Sequence, residues 1–403
     1  MAEKQKKLML LGGLRYLLPV IEEAHKLRIH VITVDYIPDN IAHKYSDEYH
    51  NVSILDKEAI LNLAEKLEID GIMSFAVDPG VVTAAYVAEK MGLPFQGSFE
   101  SVKILQDKAR FRKFLTENGF NVPNAKGYDN IEDAMKDTGF FNWPVIVKPV
   151  DSAGSKGVSR VENPEGLEKA IKYALSESHS GNFIIEDFLE KEGQSSDTDS
   201  FTIEGKLVYC SFSDQRFDDN ADNPFTPSAY SWPSTMPEET QKELISELQR
   251  LMSLLNMKTG IYNIETRLCK NGKPYIMEVS PRGGGNRLAE MLKYASRTAL
   301  IANTVKAAVG MPVEDMEMPK YYGHLAEVIL HADNDGRFER IDISEDKKDM
   351  VVETDLWVKP GDEVHGFSGA NNAIGTLVVR FPDSETLESA MSNIPQWCKV
   401  IIK

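Results

Sequence analysis

The sequence predicts an α/β and α+β protein that begins with a doubly wound parallel sheet. Three observations support this fold class. The chain has 403 residues, too many for a single hydrophobic core, so two or three domains are expected. Its first hundred residues alternate short apolar strands with helical patterns, as βαβ units do. A later stretch pairs two strand patterns across an Asn271-Gly272 turn, which is typical of an antiparallel hairpin. Predicted domain boundaries fall at 1–106, 107–310 and 311–403.

Composition narrows the class of protein. The formal net charge of −17 gives no basic surface for nucleic acid, although a local basic pocket for an anionic substrate remains compatible with it. Three cysteines lie far apart, without metal-ligand spacing or a disulfide framework, which indicates a reducing compartment. No apolar stretch has the length needed to cross a bilayer. We therefore expect a cytoplasmic protein that binds neither nucleic acid nor membrane.

The N-terminal region is predicted to be Rossmann-like, with a glycine pair after its first strand. The predicted strands and helices are Lys7–Leu11, His30–Asp35, Lys57–Leu67, Gly71–Ser74 and Val81–Met91, with a further helix between the first two strands. The dinucleotide fingerprint G-x-G-x-x-G is absent, which argues against a NAD site. We interpret Gly12-Gly13 and Asp35 as a structural turn and a strand-end acid.

Next, a predicted helix over 98–119 leads to an apolar strand that ends in a lysine. The strand is Trp143–Pro149, and a charged Lys148 within it is costly unless its ammonium meets an anion. The small-residue loop Asp151–Gly157 follows directly. Backbone N–H groups of such loops wrap phosphate oxygens. The loop does not match the Walker A pattern.

Three further segments precede the predicted hairpin. Phe183–Leu189 is predicted as a buried strand that carries Glu186. The polar patch Glu190–Asp199 is interpreted as mobile. Residues 214–236 are predicted to be an irregular loop of functional length, because they are rich in Asp, Asn and Pro.

The hairpin carries one carboxylate on each strand. Gly260–Leu268 contains Glu265 and Pro274–Val279 contains Glu278, and a type I′ turn is expected at Asn271-Gly272. Paired strands would bring the two acids together, where they repel unless a cation lies between them. Hard oxygen ligands suit Mg²⁺, which binds through one or two carboxylates and substrate phosphates. The alternative is a solvated hairpin edge with ordinary surface charges.

The rest of the chain is predicted as one long helix and a small α+β domain. The helix covers Asn286 to Val309. The predicted elements of the small domain are Ala326–His331, Met350–Leu356, Gly375–Arg380 and the helix Ser384–Ser392.

Six short motifs occur in an order that resembles the ATP-grasp superfamily over residues 1–310. They are Lys108, Val147-Lys148-Pro149, the loop 152–157, Ile185-Glu186-x-Phe188, Glu265, and Glu278-x-x-x-Arg282. The stretch from Tyr230 to Gly285 is similar to L-amino-acid ligases. It also resembles carboxylate–amine ligases related to the ATP-binding halves of the carbamoyl phosphate synthase large chain.

The resemblance implies an ATP-grasp domain over 107–310, preceded by the Rossmann-like domain, with a mobile lid at about 120–200. It implies ATP and Mg²⁺, with Mn²⁺ as an alternative metal, and Glu265 and Glu278 as the metal ligands. It implies nucleotide contacts at Lys108, Lys148, Ser155, Lys156, Gly157, Glu186, Asp187, Phe188 and Leu189. In this set Glu186 accepts from the adenine amino group and the two lysines touch the phosphates.

The implied activity is an ADP-forming ligase that joins a carboxylate to an amine through an acyl phosphate. Arg282 and Lys148 are then the catalytic residues, with Arg282 steadying the acyl phosphate. The partners are small-molecule carboxylates and amines, and the C-terminal domain leaves room for a homodimer. Arg216, Trp232 and Arg287 are candidate substrate contacts.

Two departures from the family pattern keep alternatives open. Ser280 stands where the family commonly has a metal-binding Asn, and serine is a shorter, poorer ligand. The ribose-binding Glu that the family often carries is missing near Gly193, with Glu190 or Glu192 as substitutes. The alternatives are a nucleotide-binding protein without ligase turnover, and a carboxylate–thiol ligase or kinase of the same fold.

Overall fold

The computed structural model describes residues 4–152, 154–218, 221 and 223–403. Its N-terminal region is built on a parallel four-stranded sheet with Lys7–Leu11 inside it. Along that strand Leu8 and Leu10 belong to one buried cluster, and Met9 and Leu11 belong to another. Both faces are therefore covered, and the predicted doubly wound sheet is confirmed. The elements are Lys7–Leu11, Leu18–Lys26, His30–Val34, Glu48–His50, Lys57–Leu67, Gly71–Ser74 and Asp78–Met91.

The single helix predicted over 98–119 is wrong, because Asp107 divides it. Phe99–Gln106 ends at Asp107, which has extended backbone (φ −105°, ψ 111°), and Lys108–Glu117 begins after it. The Asp107 carboxylate caps the second helix by accepting from the backbone N–H groups of Ala109 and Arg110 at 2.9 and 3.0 Å. This break fixes Lys108 at a helix N-terminus.

A separate antiparallel sheet, which we call the lid sheet, follows. Its strands and flanking helices enclose their own buried cluster, which includes Val145, Val147, Ile171 and Phe183. The elements are Ala125–Tyr128, Ile131–Lys136, Val145–Pro149, Ser159–Val161, Leu167–Ser176 and Phe183–Asp187.

The next sheet, the central sheet, is also antiparallel and contains the predicted hairpin. Its strands and packed helix are Ser196–Ile203, Lys206–Cys210, Glu238–Leu254, Gly260–Leu268 and Pro274–Ser280. The mobile patch predicted at 190–199 is wrong from Ser196 onward, because this strand pairs on both sides and is almost entirely buried.

The hairpin turn differs from the type I′ prediction. Gly272 has φ 76°, whereas Asn271 does not have a positive φ. The Gly272 N–H donates to the Cys269 carbonyl at 2.8 Å, and the Cys269 N–H donates to Lys273 at 3.1 Å. This pattern fits a three-residue loop with one left-handed glycine.

A five-stranded antiparallel sheet, the C-terminal sheet, joins segments that are far apart in sequence. Its strands are Asp214–Phe217, Pro227–Trp232, His324–Leu330, Val351–Leu356 and Gly375–Phe381. The prediction of an irregular loop over 214–236 is therefore wrong. These strands are short and polar, and they form because the distant strand His324–Leu330 pairs with Pro227–Trp232. The sheet also spans the predicted boundary at 310, and the domain boundaries stay a prediction.

The remaining elements complete the C-terminal half. The helix predicted from Asn286 to Val309 is two helices, separated near Arg297, which has a left-handed φ of 63°. Gly336–Ile343 and Cys398–Ile402 were not predicted, and they pair with each other in a small sheet. The elements are Leu288–Ser296, Leu300–Ala308, Gly336–Ile343, Glu345–Lys348, Glu363–Val364, Ser384–Met391, Ile394–Trp397 and Cys398–Ile402. Short 3₁₀ turns lie at Arg15–Leu17, Ile41–Lys44, Thr138–Phe140, Pro164–Gly166 and Ala370–Asn372.

Within the described ranges, no helix has both the length and the apolar composition that crossing a membrane requires.

Close packing between Gly71 and the helix Leu300–Ala308 generates a stability prediction. A Cβ at Gly71 would lie 2.1 Å from the Ala308 carbonyl oxygen, so Gly71→Ala forces the backbone apart. We expect a loss of about 1–3 kcal/mol in the free energy of unfolding, measured by urea denaturation. Gly139→Ala is the control, because a Cβ there meets no atom within 4 Å. Equal denaturation midpoints for the two variants would contradict the prediction.

Candidate active site

The two hairpin carboxylates are direct cross-strand partners. Glu265 pairs with Glu278 in the antiparallel ladder, and their side chains are 32% and 37% exposed. Side chains in such positions have Cβ atoms about 4.5–5.5 Å apart. Arg267 lies 3.2 Å from Glu265, and the Lys108 ammonium lies 3.6 Å from Glu278. Two accessible carboxylates so placed form an oxygen donor set that fits Mg²⁺.

A third carboxylate, Asp197, extends this row onto the next strand. Asp197 is the cross-strand partner of Glu265 on the strand Ser196–Ile203. It accepts from Asn263 at 2.7 Å and from the Tyr230 hydroxyl at 3.1 Å. Burial, followed by the negative charge of Glu265, raises the pKa of Asp197 to about 7. Sequence reasoning missed this residue, although the Asp197-x-Asp199 alternation of a strand was readable.

Asp199 lies two residues further along the same strand face. One carboxylate oxygen accepts from the Gly284 N–H at 2.8 Å, and the other has no hydrogen-bond partner among the described residues. Burial raises the pKa of Asp199 to about 7. The glycine run after Arg282 permits this approach, because a Cβ at Gly284 would lie 3.0 Å from the same carboxylate.

Arg282 is held by Asp78 at the start of the helix Asp78–Met91. The guanidinium donates to both Asp78 oxygens, from Nε at 2.8 Å and from Nη2 at 2.6 Å. Its Nη1 donates to Asn263 at 3.1 Å. Burial alone would raise the pKa of Asp78, but the charge of Arg282 outweighs it and lowers that pKa. Sequence reasoning missed Asp78, because its partner lies 204 positions away.

The Ser280 side chain is directed to the same aspartate. Its hydroxyl donates to Asp78 at 2.8 Å and accepts from Gln106 at 2.7 Å, and the residue is fully buried. Ser280 thus supports the ion pair of Arg282. Its hydroxyl proton faces Asp78 rather than an open metal position.

Lys148 and Glu186 form a buried ion pair inside the lid sheet, with Arg112 as a third member. The Lys148 ammonium contacts one Glu186 oxygen, and Arg112 Nε donates to the other at 3.0 Å. Burial would raise the pKa of Glu186, but the two cations outweigh it and lower the pKa to about 2. Glu186 was predicted to accept from adenine. In the structure both of its oxygens contact cations, and its side chain is only 3% exposed. The contact with adenine stays a prediction.

The predicted phosphate loop turns sharply beside Lys108. The Lys108 ammonium donates to the Ser152 carbonyl at 3.1 Å, so this lysine contacts both the loop and Glu278. Gly154, Ser155 and Gly157 have φ of 68°, 58° and 70°. Lys156 is exposed. The remaining loop residue, Ala153, lies outside the described residues.

The Ser155 hydroxyl links this loop to the segment before Pro227–Trp232. It donates to the Phe225 carbonyl at 2.9 Å, and the Asn223 amide donates to the Ser155 carbonyl at 3.4 Å. Two segments that sequence analysis treated separately thus meet at one edge of the site.

Two backbone N–H groups of the hinge that was predicted to bind adenine are engaged in hydrogen bonds next to the lid sheet. The Asp187 N–H donates to Asn124 and the Phe188 N–H donates to Pro144, both at 2.9 Å. The Phe188 ring lies under the Arg160 guanidinium at 4.3 Å. The Leu189 carbonyl accepts from Arg267 at 3.5 Å. Glu190 is one of the two glutamates predicted to replace the missing ribose-binding Glu. It pairs with Lys270 at 2.5 Å.

The three predicted substrate contacts, which stay predictions, each contact other protein groups. Arg216 lies on the face of the C-terminal sheet opposite to Tyr230, and it donates to Glu388 at 2.7 Å. Trp232 is fully buried beside Tyr230. Arg287 pairs with Glu290 at 3.1 Å and with Glu353 at 2.6 Å.

Comparison with known proteins identifies the fold built around these carboxylates. Residues 141–290 match the family model described as "ATP-grasp domain". The chain contains an ATP-grasp domain. That range covers Lys148, Glu186, both hairpin carboxylates and Arg282, and the predicted resemblance is thereby confirmed.

Several known proteins are similar to larger parts of the chain. The carbamoyl phosphate synthase large chain of Thermotoga petrophila is 25% identical over 285 residues, which is 70% of this chain and 24% of that protein. The chain therefore spans about a quarter of the length of that relative. The formate-dependent phosphoribosylglycinamide formyltransferase of Methanocaldococcus jannaschii is 25% identical over 311 residues, covering 76% of this chain and 77% of that protein. The crystal structure of L-amino acid ligase from Bacillus licheniformis superimposes with a TM-score of 0.79 and 21% identity, and all of both chains is covered.

The buried Asp78–Arg282 pair predicts a strong energetic coupling. Asp78→Ala and Arg282→Ala should each cost about 3–5 kcal/mol, because each leaves an uncompensated buried charge. The double variant should lose clearly less than both combined, with a coupling of about 0.5–3 kcal/mol. The measurement is a double-mutant cycle in urea.

The control cycle uses Arg160 and Glu162, whose contact distance of 2.9 Å is similar but whose side chains are 43% and 65% exposed. It should give a coupling below about 1 kcal/mol. Coupling no larger at Asp78–Arg282 than in this control would contradict the prediction.

The raised pKa of Asp199 predicts a pH-dependent stability. The folded protein keeps this proton up to about pH 7, whereas the unfolded chain releases it near 3.8. Between those values the folded state binds more protons, so this group makes stability fall as pH rises. Asp199→Asn should therefore gain stability relative to wild type as the pH rises from about 4 to about 7, with a constant difference above that range, measured by urea unfolding without Mg²⁺.

The exposed Asp39 provides the control, because Asp39→Asn removes the same charge from the protein surface. An Asp199→Asn variant that follows wild type across the range would show that the carboxyl ionises normally.

Proposed function

We propose that this protein is an ATP-dependent ligase that joins a carboxylate to an amine through an acyl phosphate, releasing ADP and phosphate. The observation that carries the proposal is the cross-strand pair of Glu265 and Glu278. Lys108 contacts Glu278, and Arg282, which Asp78 holds, follows the strand that carries Glu278. Such a pair is suited to a divalent metal bound to nucleotide phosphates.

Glu265 and Glu278 would hold Mg²⁺, with Mn²⁺ as an alternative. When bound, the metal supplies positive charge that offsets the phosphate oxygens. Lys108 is positioned to bind phosphate, since it already reaches both the metal carboxylate and the Ser152 carbonyl. The Lys148 ammonium is held by Glu186, and Arg112 fixes the other oxygen of that carboxylate.

Forming an acyl phosphate requires a carboxylate to approach the γ-phosphate, and the two anions repel. Arg282 reduces that repulsion if its guanidinium faces the reacting groups. Asp78 holds two of its N–H groups in a bidentate contact, which fixes the plane of the fork before substrate binds. A carboxylate oxygen attacks the γ-phosphorus of ATP, and the bond from that phosphorus to ADP breaks. The unprotonated amine then attacks the acyl carbon, loses a proton, and expels inorganic phosphate as the amide bond forms.

The lid sheet would close over the nucleotide and exclude water from the acyl phosphate. The contact of Ser155 with Phe225 supports a closure in which the predicted phosphate loop meets the segment before the strand Pro227–Trp232. Adenine recognition at the hinge would use the backbone near Leu189, because the Asp187 and Phe188 N–H groups are engaged within the lid.

The relatives support the reaction class through their names. One is an L-amino acid ligase, and another is a formate-dependent phosphoribosylglycinamide formyltransferase. The first name describes ligation of an amino acid and the second a formyl transfer that depends on formate, and the proposal extends such use of a carboxylic acid to this chain.

A second candidate is a nucleotide-binding protein without ligase turnover. The Ser280 hydroxyl favours it, because it donates to Asp78 and does not replace the metal-binding Asn of the family. A carboxylate–thiol ligase or kinase of the same fold would share the phosphate site and differ in the acceptor.

The decisive experiment measures phosphate release from Mg²⁺-ATP with pooled carboxylic acids and pooled amines. We expect release that requires both pools, and a loss of about 100-fold or more in Glu278→Ala because a charge-stabilising ligand is removed. Glu238→Ala is the control, since that glutamate is 80% exposed on the helix Glu238–Leu254. It should match wild type.

ADP binding measured by calorimetry separates the candidates. Binding without release in any pool would favour the nucleotide-binding protein, and release that a thiol pool stimulates in place of amines would favour the thiol ligase. Equal release by wild type and Glu278→Ala would contradict the assignment of the metal site.

A further inference from the structure

One row of side chains crosses the C-terminal sheet on the face that meets the candidate site. Direct cross-strand partners share a face, and the successive partners along this row are Gln215, Tyr230, Glu327, Val378 and Glu353. The Tyr230 hydroxyl donates to Asp197, so this face of the sheet is turned toward the carboxylates of the central sheet.

Glu327 occupies the middle strand of that row and is fully buried. Neither of its carboxylate oxygens has a hydrogen-bond partner among the described residues. An ionised carboxylate accepts hydrogen bonds and donates none, so the partner that would satisfy it must be a donor. An unpaired buried charge of this kind is costly, and Glu327 lies in a sheet interior where an apolar residue would avoid the cost.

The guanidinium of Arg287, which attracts Glu327 electrostatically, is already committed to other groups. Arg287 donates through Nε and Nη2 to Glu290 at 3.3 and 3.1 Å. Its Nη1 donates to Thr376 at 2.8 Å and lies 2.6 Å from Glu353. Asp355 lies 3.8 Å from the same nitrogen.

Three carboxylates, those of Glu290, Glu353 and Asp355, thus lie within 4 Å of this guanidinium. Glu327, by contrast, has no hydrogen bond to any described residue. Burial, with the negative charges of Glu290 and Glu353 opposing Arg287, raises the pKa of Glu327 well above its ordinary value. The group has an excess of negative charge that a bound cation would offset.

A chain of hydrogen bonds runs from two neighbours of this acidic group to Asp197: Tyr230 is the cross-strand partner of Glu327, and Asn286 precedes Arg287 in the sequence. Tyr230 donates to Asp197, the cross-strand partner of Glu265. Asn286 donates to the Tyr230 hydroxyl at 3.2 Å and accepts from Tyr16 at 3.3 Å. Asn286 lies between Arg282 and Arg287 in the sequence, so the acidic group adjoins the place where the acyl phosphate would form.

We propose that Glu327 binds a cationic nitrogen of the amine substrate, an ammonium or a guanidinium separate from the nitrogen that reacts. The inference rests on the proposed ligase function and names its acceptor class as basic amines. The reacting nitrogen must be unprotonated to attack, so the charge that Glu327 meets belongs to a second group. A donor-rich cation meets both needs of the site, because it donates to the acceptor and offsets the excess charge.

The test compares matched ligands on the full chain in the presence of Mg²⁺-ADP. Calorimetry measures the binding of L-lysine and of L-norleucine, which has similar length and lacks the side-chain ammonium. L-arginine and L-glutamate extend the series. We expect the basic amino acids to bind at least about 10-fold more tightly than norleucine, which corresponds to about 1.4 kcal/mol.

The variant Glu327→Gln keeps the shape of the side chain and removes its charge. It should lower the affinity for lysine at least about 10-fold and leave that for norleucine unchanged. Glu345→Gln is the control, because that side chain is 88% exposed on a helix of the small C-terminal region. Urea unfolding confirms that each variant folds, and the wild-type comparison of lysine with norleucine needs no variant.

Equal or tighter binding of norleucine, no binding of any basic amine, or unchanged lysine binding in Glu327→Gln would each overturn the proposal. Phosphate release distinguishes this from failure of the ligase reaction. Release with neutral amines and no preference for cations would leave the ligase and remove the cation site. Preferential cation binding without release in any acid pool would leave the site and remove the reaction.

Discussion

The register of the strand Gly260–Leu268 is the constraint on which the candidate site depends. This strand pairs on one side with Ser196–Ile203 and on the other with Pro274–Ser280, which aligns Asp197, Glu265 and Glu278 across three strands. A slip of one residue would turn each side chain to the opposite face. The fold therefore brings like charges together by strand pairing, and the cost of their repulsion is met by the many backbone hydrogen bonds of the sheet.

Cations are distributed around these acids by elements from other parts of the chain. Lys108 comes from a helix N-terminus that Asp107 fixes, and Lys148 comes from the lid sheet. Arg282 follows the central hairpin and is oriented by Asp78 from the N-terminal region. Each basic residue is thus oriented by its own carboxylate or carbonyl partner, which gives a preorganised arrangement of charge.

Apolar periodicity correctly predicted the strands and helices that are determined by their own residues. Lys7–Leu11, Lys57–Leu67 and Gly71–Ser74 have the predicted bounds, because apolar periodicity decides them. The pairing of Glu265 with Glu278 was also predictable, since a short turn joins their strands. The turn type was wrong, because a single left-handed glycine with a bulge satisfies the same connection.

Long-range pairing decided what the sequence could not reveal. The segment 214–236 contains short polar strands that depend on His324–Leu330, and no local pattern indicates such a partner. Asp78 and Glu327 were missed for the same reason, since one meets Arg282 across the chain and the other becomes buried only when the sheet assembles. Glu186 follows a strand pattern, but its contacts with Lys148 and Arg112 appear only in the folded lid.

The C-terminal sheet has a consequence for how specificity can change in this architecture. Glu327, Glu353 and Asp355 belong to strands contributed after residue 310, whereas the groups suited to phosphate and metal come before it. Exchange of the C-terminal segment between related chains would therefore replace these three acidic residues together. The residues that precede this segment would stay unchanged, so under the proposed function acceptor choice and phosphate chemistry would be modular traits that recombination can separate.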